Sequence, residues 1–85
     1  VPWEVDFEPS ARRAFRGLDR SVQQRILKSL AGLAADPRAA QNVKTLQGQP
    51  GYRLRVGDWR VIYTLKDDVL TVLVIRIAHR REAYR

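Results

Sequence analysis

The 85-residue chain contains no cysteine, no methionine and a single histidine, His79. Without cysteine there can be no disulfide, thiolate-held zinc, iron–sulfur cluster or thiol nucleophile, a composition suited to a reducing compartment. One imidazole cannot furnish a histidine-rich metal site. With no methionine anywhere, Val1 is not an ordinary initiator residue, which points to a processed or trimmed N-terminus. No apolar run approaches the ~20 residues that span a bilayer, and the first residues lack the pattern of a secretory signal, so a cytoplasmic location with no membrane partner is expected. Acidic residues are also scarce: 9 Asp and Glu stand against 16 Lys and Arg, a net charge of +7.

The length fits one domain, and a single domain over residues 1–85, with no separate regulatory or cofactor domain within it, is expected. About 60–65% of the unfolded chain's surface can be buried at this size, workable without staples. The excess of positive charge favours a polyanionic partner, chiefly nucleic acid, or an acidic protein that masks the basic face. Thirteen of the sixteen cations are arginine, and GC-rich coding alone yields Arg- and Ala-rich chains, so placement has to decide what the charge means.

Along the chain, Trp3-Glu4-Val5-Asp6-Phe7 alternates apolar and polar with the period of a strand. Pro9 suits a first helical turn, and Ala11, Ala14, Phe15 and Leu18 form one helical stripe that leaves Arg12, Arg13 and Arg16 outside it. Ser21 and Gln24 have the spacing of a capping box. Val22, Ile26, Leu30 and Leu33 make a second stripe, ending near Ala35-Asp36 because Pro37 disfavours helix before it. Arg38 to Gly51 reads as a connection pinned by Val43 and Leu46. Tyr52–Val56, Trp59–Leu65 and Val69–Ile77 then read as three strands separated by Gly57-Asp58 and by Lys66-Asp67-Asp68. The last is apolar on both faces and so central in the sheet. The expected fold is α+β, β-α-α-β-β-β: a small, mostly antiparallel sheet with an N-terminal strand, a helical hairpin on one face and three C-terminal strands.

A two-residue turn at Gly57-Asp58 with positive φ at the glycine pairs Val56 with Trp59, Arg55 with Arg60, Leu54 with Val61 and Tyr52 with Tyr63. Alternation then puts Tyr52, Leu54, Val56, Trp59, Val61 and Tyr63 toward the helices, and Arg53, Arg55 and Arg60 on the opposite face. Like charges directly opposite cost a few tenths to about 1 kcal/mol. Stability alone would place a carboxylate at one of those positions, so the pairing suggests a bound anion. Arg53 and Arg55, about 6.7 Å apart by strand rise, could reach consecutive phosphates of an extended nucleic-acid strand. Arg76 joins this face if the next turn has three residues and leaves it if the turn has two. His79, Arg80, Arg81, Glu82 and Tyr84 follow within reach of it.

The segment Tyr52-Arg53-Leu54-Arg55-Val56-Gly57-Asp58-Trp59-Arg60-Val61-Ile62-Tyr63, together with the ending His79-Arg80-Arg81-Glu82-Ala83-Tyr84, resembles the RelE/ParE superfamily of bacterial toxins from type II toxin–antitoxin systems, and is most similar to the RelE branch. The resemblance covers essentially the whole chain. It implies a RelE-like fold and an endoribonuclease, an mRNA interferase, that cuts messenger RNA in the ribosomal A site by attack of the ribose 2′-OH on the adjacent phosphate. No metal or other cofactor is implied. The partners implied are a cognate acidic RelB-like antitoxin, the ribosome and mRNA, with operator DNA reached only through the antitoxin.

By motif position the resemblance assigns catalysis to Arg60, Arg80 and Tyr84 and RNA binding to Arg53 and Arg55; Arg76, His79 and Arg81 join the expected RNA-binding set through their expected place on or beside the same face. Arg53 and Arg55 stand where the best-studied branch has two lysines. Arginine stays protonated at neutral pH and is poorly suited to general-base work, so Tyr84 leads as the proton-transfer group, followed by His79 and Glu82. Two other functions compete: a ParE-like inhibitor of DNA gyrase without catalytic chemistry, and an inactive antitoxin-bound co-repressor.

Overall fold

The computed structural model of the protein describes residues 2–83. Strand β1 spans Glu4–Phe7, helix α1 Pro9–Arg16, helix α2 Arg20–Ala35, and strands β2, β3, β4 and β5 span Val43–Thr45, Tyr52–Val56, Trp59–Lys66 and Thr71–His79, before a short helix α3 at Arg80–Ala83. The strands form one sheet in the order β1-β5-β4-β3-β2. β1 runs parallel to β5, with Val5 beside Val72 and Phe7 beside Val74, and the other neighbours are antiparallel. The α+β expectation therefore holds, and β5 is an inner strand as its two-sided apolar character implies.

The two helices cover one face of the sheet. Ala11 of α1 and Ile26, Leu30 and Leu33 of α2 are buried against Leu54, Val56, Val61, Tyr63, Val72, Val74 and Ile77. Pro9 opens α1, where its missing N–H costs nothing. The helices are tied by the Gln23 side-chain amide, which donates to the Phe15 carbonyl at 2.8 Å. Ala14, assigned to the buried stripe, is exposed; Ala11, Phe15 and Leu18 carry the contact.

Four local expectations need correction. The capping box does not form: α2 starts at Arg20 with Asp19 as N-cap and no side-chain cap bond, so Ser21 already lies inside the first turn. The stretch read as a connection contains β2, a three-residue edge strand registered Val43 to Leu54, Lys44 to Arg53 and Thr45 to Tyr52. β4 runs to Lys66 and β5 begins at Thr71, so the link between them is longer than either turn considered, with a 3₁₀ turn at Asp67–Val69 and Leu70 at φ +46°. Finally, the β4–β5 ladder slips by one residue between Ile62 and Tyr63, so that Ile75 is a bulge.

Candidate nucleic-acid interface

The β3–β4 hairpin has the register derived from its turn. Arg55 pairs with Arg60, Leu54 with Val61, Arg53 with Ile62 and Tyr52 with Tyr63. Gly57 has φ +59° and Asp58 does not have positive φ, as a two-residue turn of this kind requires. Leu54, Val56, Val61 and Tyr63 are buried under the helices, and the arginines occupy the other face.

The bulge settles where Arg76 points. Near the turn Leu65 faces Val72 and Tyr63 faces Val74, a register that, continued, would send Arg76 toward the helices. The extra residue at Ile75 shifts the remaining pairs so that Ile62 faces Arg76 and Arg60 faces Ala78. Arg76 thereby joins the basic face although the turn has neither of the expected lengths.

Lys44 was missed. Its strand is three residues long and polar, but its register puts it directly across from Arg53. The signal available was the apolar-polar alternation of Val43-Lys44-Thr45, too short to separate from loop by itself. Two rows of side chains result, Lys44–Arg53–Ile62–Arg76 across four strands and Arg55–Arg60–Ala78 beside it. Lys44, Arg53, Arg55 and Arg60 line one cavity of about 300 Å³, and Arg53, Arg60, Ile62, Arg76 and Glu8 line an adjoining one of about 500 Å³.

Arg60 differs from its neighbours. It is 8% exposed, and its Nη1 donates to the carbonyls of Gly57 and Trp59, each at 3.1 Å. A guanidinium folded onto the turn's carbonyls is held in a fixed orientation, the property required of a group that stabilises developing charge. Arg80 begins α3 over the same turn: its N–H donates to the Asp58 carbonyl at 2.7 Å, and its Nη1 lies 3.7 Å from the Asp58 carboxylate. Arg81 is exposed and its N–H donates to His79 Nδ1 at 3.3 Å.

His79 is not on the arginine face. It pairs with Trp59 on the helix-side face and packs edge-on against the indole at 5.2 Å between ring centres. Tyr84 lies outside the described residues. Another phenol, Tyr63, is buried and stacked on Tyr52, and its pKa is pushed up to about 12 by burial and then by Tyr52, which fits a core group rather than a proton carrier. Among the described residues no group of three or more carboxylate or imidazole side chains is placed to hold a metal ion. The arrangement can therefore bind and orient phosphates through cations fixed on four strands.

Comparison with known proteins agrees with this geometry. Residues 5–84 match the sequence model of a family described as the ParE toxin of type II toxin–antitoxin systems, parDE. The chain is 26% identical to toxin RelG of Mycobacterium tuberculosis over 86 residues, covering 100% of this chain and 99% of that protein. It is 28% identical to the mRNA interferase toxin RelE of Escherichia coli over 82 residues, covering 93% and 84%. In structure it is similar to the toxin–antitoxin complex RelBE2 of M. tuberculosis, with TM-score 0.81, 28% identity and coverage of 94% and 93%. The intact E. coli RelBE complex gives TM-score 0.77, 29% identity and coverage of 91% and 95%. The strand order, the hairpin motif and these likenesses agree, and the chain belongs to the ParE toxin family, a RelE-like toxin of the RelE/ParE superfamily of toxin–antitoxin systems.

Proposed function

We propose that this toxin is a ribosome-dependent endoribonuclease that cuts mRNA in the A site without a metal, and that a RelB-like acidic antitoxin silences it by covering the basic face. The observation that carries the reading is the Arg55–Arg60 opposition on a face with Arg53 and Arg76, an arrangement unfavourable to the free fold and suited to a phosphodiester. The interferase name of the E. coli relative, and the antitoxin complexes among the structural neighbours, support it.

In this reaction the ribose 2′-oxygen forms a bond to phosphorus while the bond to the 5′-oxygen breaks. The 2′ proton passes to a base and the leaving oxygen takes up a proton, giving a 2′,3′-cyclic phosphate and a 5′-hydroxyl. Negative charge grows on the equatorial oxygens, where guanidinium groups bind with charge-assisted hydrogen bonds. Arg60 and Arg80 are assigned that role, Arg53, Arg55, Arg76 and Arg81 hold flanking RNA, and Tyr84 transfers protons by its motif position. His79, with its ring against Trp59, is assigned a supporting role at the start of α3.

The match to a ParE-described family favours a second reading, inhibition of DNA gyrase by binding alone. Mapping mRNA 5′ ends after brief induction separates the two. Cuts within codons, relieved by Arg60→Ala, are expected. Because Arg60 also holds the Gly57 and Trp59 carbonyls, Arg53→Gln serves as a second variant with the turn intact. Intact mRNA with accumulated gyrase–DNA cleavage complexes would overturn the nuclease reading.

A further inference from the structure

We infer that single-stranded RNA crosses the sheet perpendicular to its strands, with Lys44 on edge strand β2 and Arg76 on β5 holding the phosphates that flank the one at Arg55 and Arg60. This rests on the nuclease reading of the face and adds the path of the substrate and a binding residue.

Along β3 the basic face offers two cations, Arg53 and Arg55, before the chain turns at Gly57. Across the strands, the row from Lys44 through Arg53 and Ile62 to Arg76 covers three interstrand spacings of about 4.8 Å, or about 14 Å. Lys44 opposite Arg53 is a second like-charge pair across the ladder, beside Arg55 opposite Arg60, so this face carries two pairings that the sheet itself disfavours. The protein does pair exposed arginines elsewhere, Arg12 with Asp6 and Arg38 with Asp67, but among the described residues Lys44, Arg53, Arg55 and Arg76 form no ion pair.

Between the two ends lies Ile62, half-buried, an apolar surface against which a sugar or base can rest in the gap between Arg53 and Arg76. Among the described residues Glu8 is the one carboxylate lining the hollow at the Arg76 end. Its charge repels a continuing backbone and ends the track there.

The test is the affinity of the purified full chain for a short RNA oligonucleotide carrying a 2′-deoxy nucleotide at the cut position, measured by fluorescence anisotropy across a salt series. Each lost phosphate contact lowers the slope of log affinity against log salt by about 0.7 for a single strand. Lys44→Ala and Arg76→Ala are each expected to show that drop, Lys44→Arg to restore it, and Glu8→Gln to tighten binding. Lys28→Ala, the same charge change on exposed α2, is the control and should leave the slope unchanged. A Lys44→Ala slope equal to that of Lys28→Ala overturns the path while leaving mRNA cutting by the wild type intact. Failure of the wild type to bind RNA overturns the path, whereas the nuclease reading falls only if mRNA stays uncut after induction. If Lys44→Ala weakens binding of poly-glutamate but not of RNA, the row serves an acidic protein, and the RNA path is overturned.

Discussion

Replacing Arg55 by glutamate should make the protein more stable while abolishing the proposed RNA cleavage. Arg55 is exposed and directly faces Arg60, a residue that is 8% exposed and whose guanidinium is fixed to two turn carbonyls. Removing a like-charge cross-strand pair returns a few tenths to about 1 kcal/mol, and an opposite-charge pair adds a comparable amount, about 0.5–2 kcal/mol in all. Solvent around the exposed Arg55 position screens the interaction, so the lower half of that range, near 1 kcal/mol, is expected. For a domain of this size that corresponds to a rise in Tm of roughly 4–8 °C. The assay is thermal and urea unfolding at low and high salt. Salt should stabilise the wild type by screening the repulsion and should weaken the variant's new attraction, since the Debye length falls from about 10 Å at 0.1 M to about 3 Å at 1 M. Arg55→Gln should lie between the two. An Arg55→Glu variant less stable than wild type at low salt, or one with the wild-type salt response, would refute the claim that this pair is held against its own electrostatics.

Two further outcomes concern the turn and the core. Tyr63 holds its proton more tightly when folded, with a pKa of about 12 against an ordinary 10.0, so its contribution is intact below pH 10 and is lost as pH rises through 12. A shift of that size corresponds to roughly 2–3 kcal/mol, and Tyr63→Phe should remove this alkaline loss; parallel urea midpoints for the two proteins from pH 9 to 12 would contradict it. Gly57→Ala puts a side chain at φ +59°, with its Cβ 2.5 Å from the Arg25 guanidinium. The left-handed backbone alone costs roughly 1–2 kcal/mol, and Gly57→Asn should cost less, as thermal unfolding would measure; an unchanged Tm in Gly57→Ala would count against the turn assignment.

Much of the fold could be read directly from residue patterns. The Ile26, Leu30 and Leu33 stripe and the Gly57-Asp58 turn are local signals, and the turn fixed which of Arg53, Leu54, Arg55 and Arg60 face the helices because strand alternation leaves no freedom once the turn is known. Most of the features that escaped depend on which strand lies alongside, not on local residue preference. β2 exists because Val43, Lys44 and Thr45 find partners on β3, not because three residues have a preference of their own. The bulge at Ile75 has no local mark in an unbroken apolar run, yet it decides the side taken by Arg76. The seclusion of Arg60 follows from carbonyls at a turn that its own strand helps to form, and the face taken by His79 follows from its register with Trp59.

The parallel pairing of β1 with β5 has a consequence for biosynthesis. Glu4 meets Thr71, and Phe7 meets Val74, across nearly the whole length of the described chain. Contacts of such separation form late, after the intervening loop entropy has been overcome. On a translating ribosome the N-terminal strand must wait for residues 71–79 to emerge, and the same strand delivers Arg76 and leads into Arg80. A chain stopped before β5 therefore lacks the strand that joins β1 to the β4–β3–β2 ladder, and with it Arg76 and Arg80 of the basic face. Completion of the basic face is thus coupled to the emergence of β5, the strand that also closes the fold onto β1.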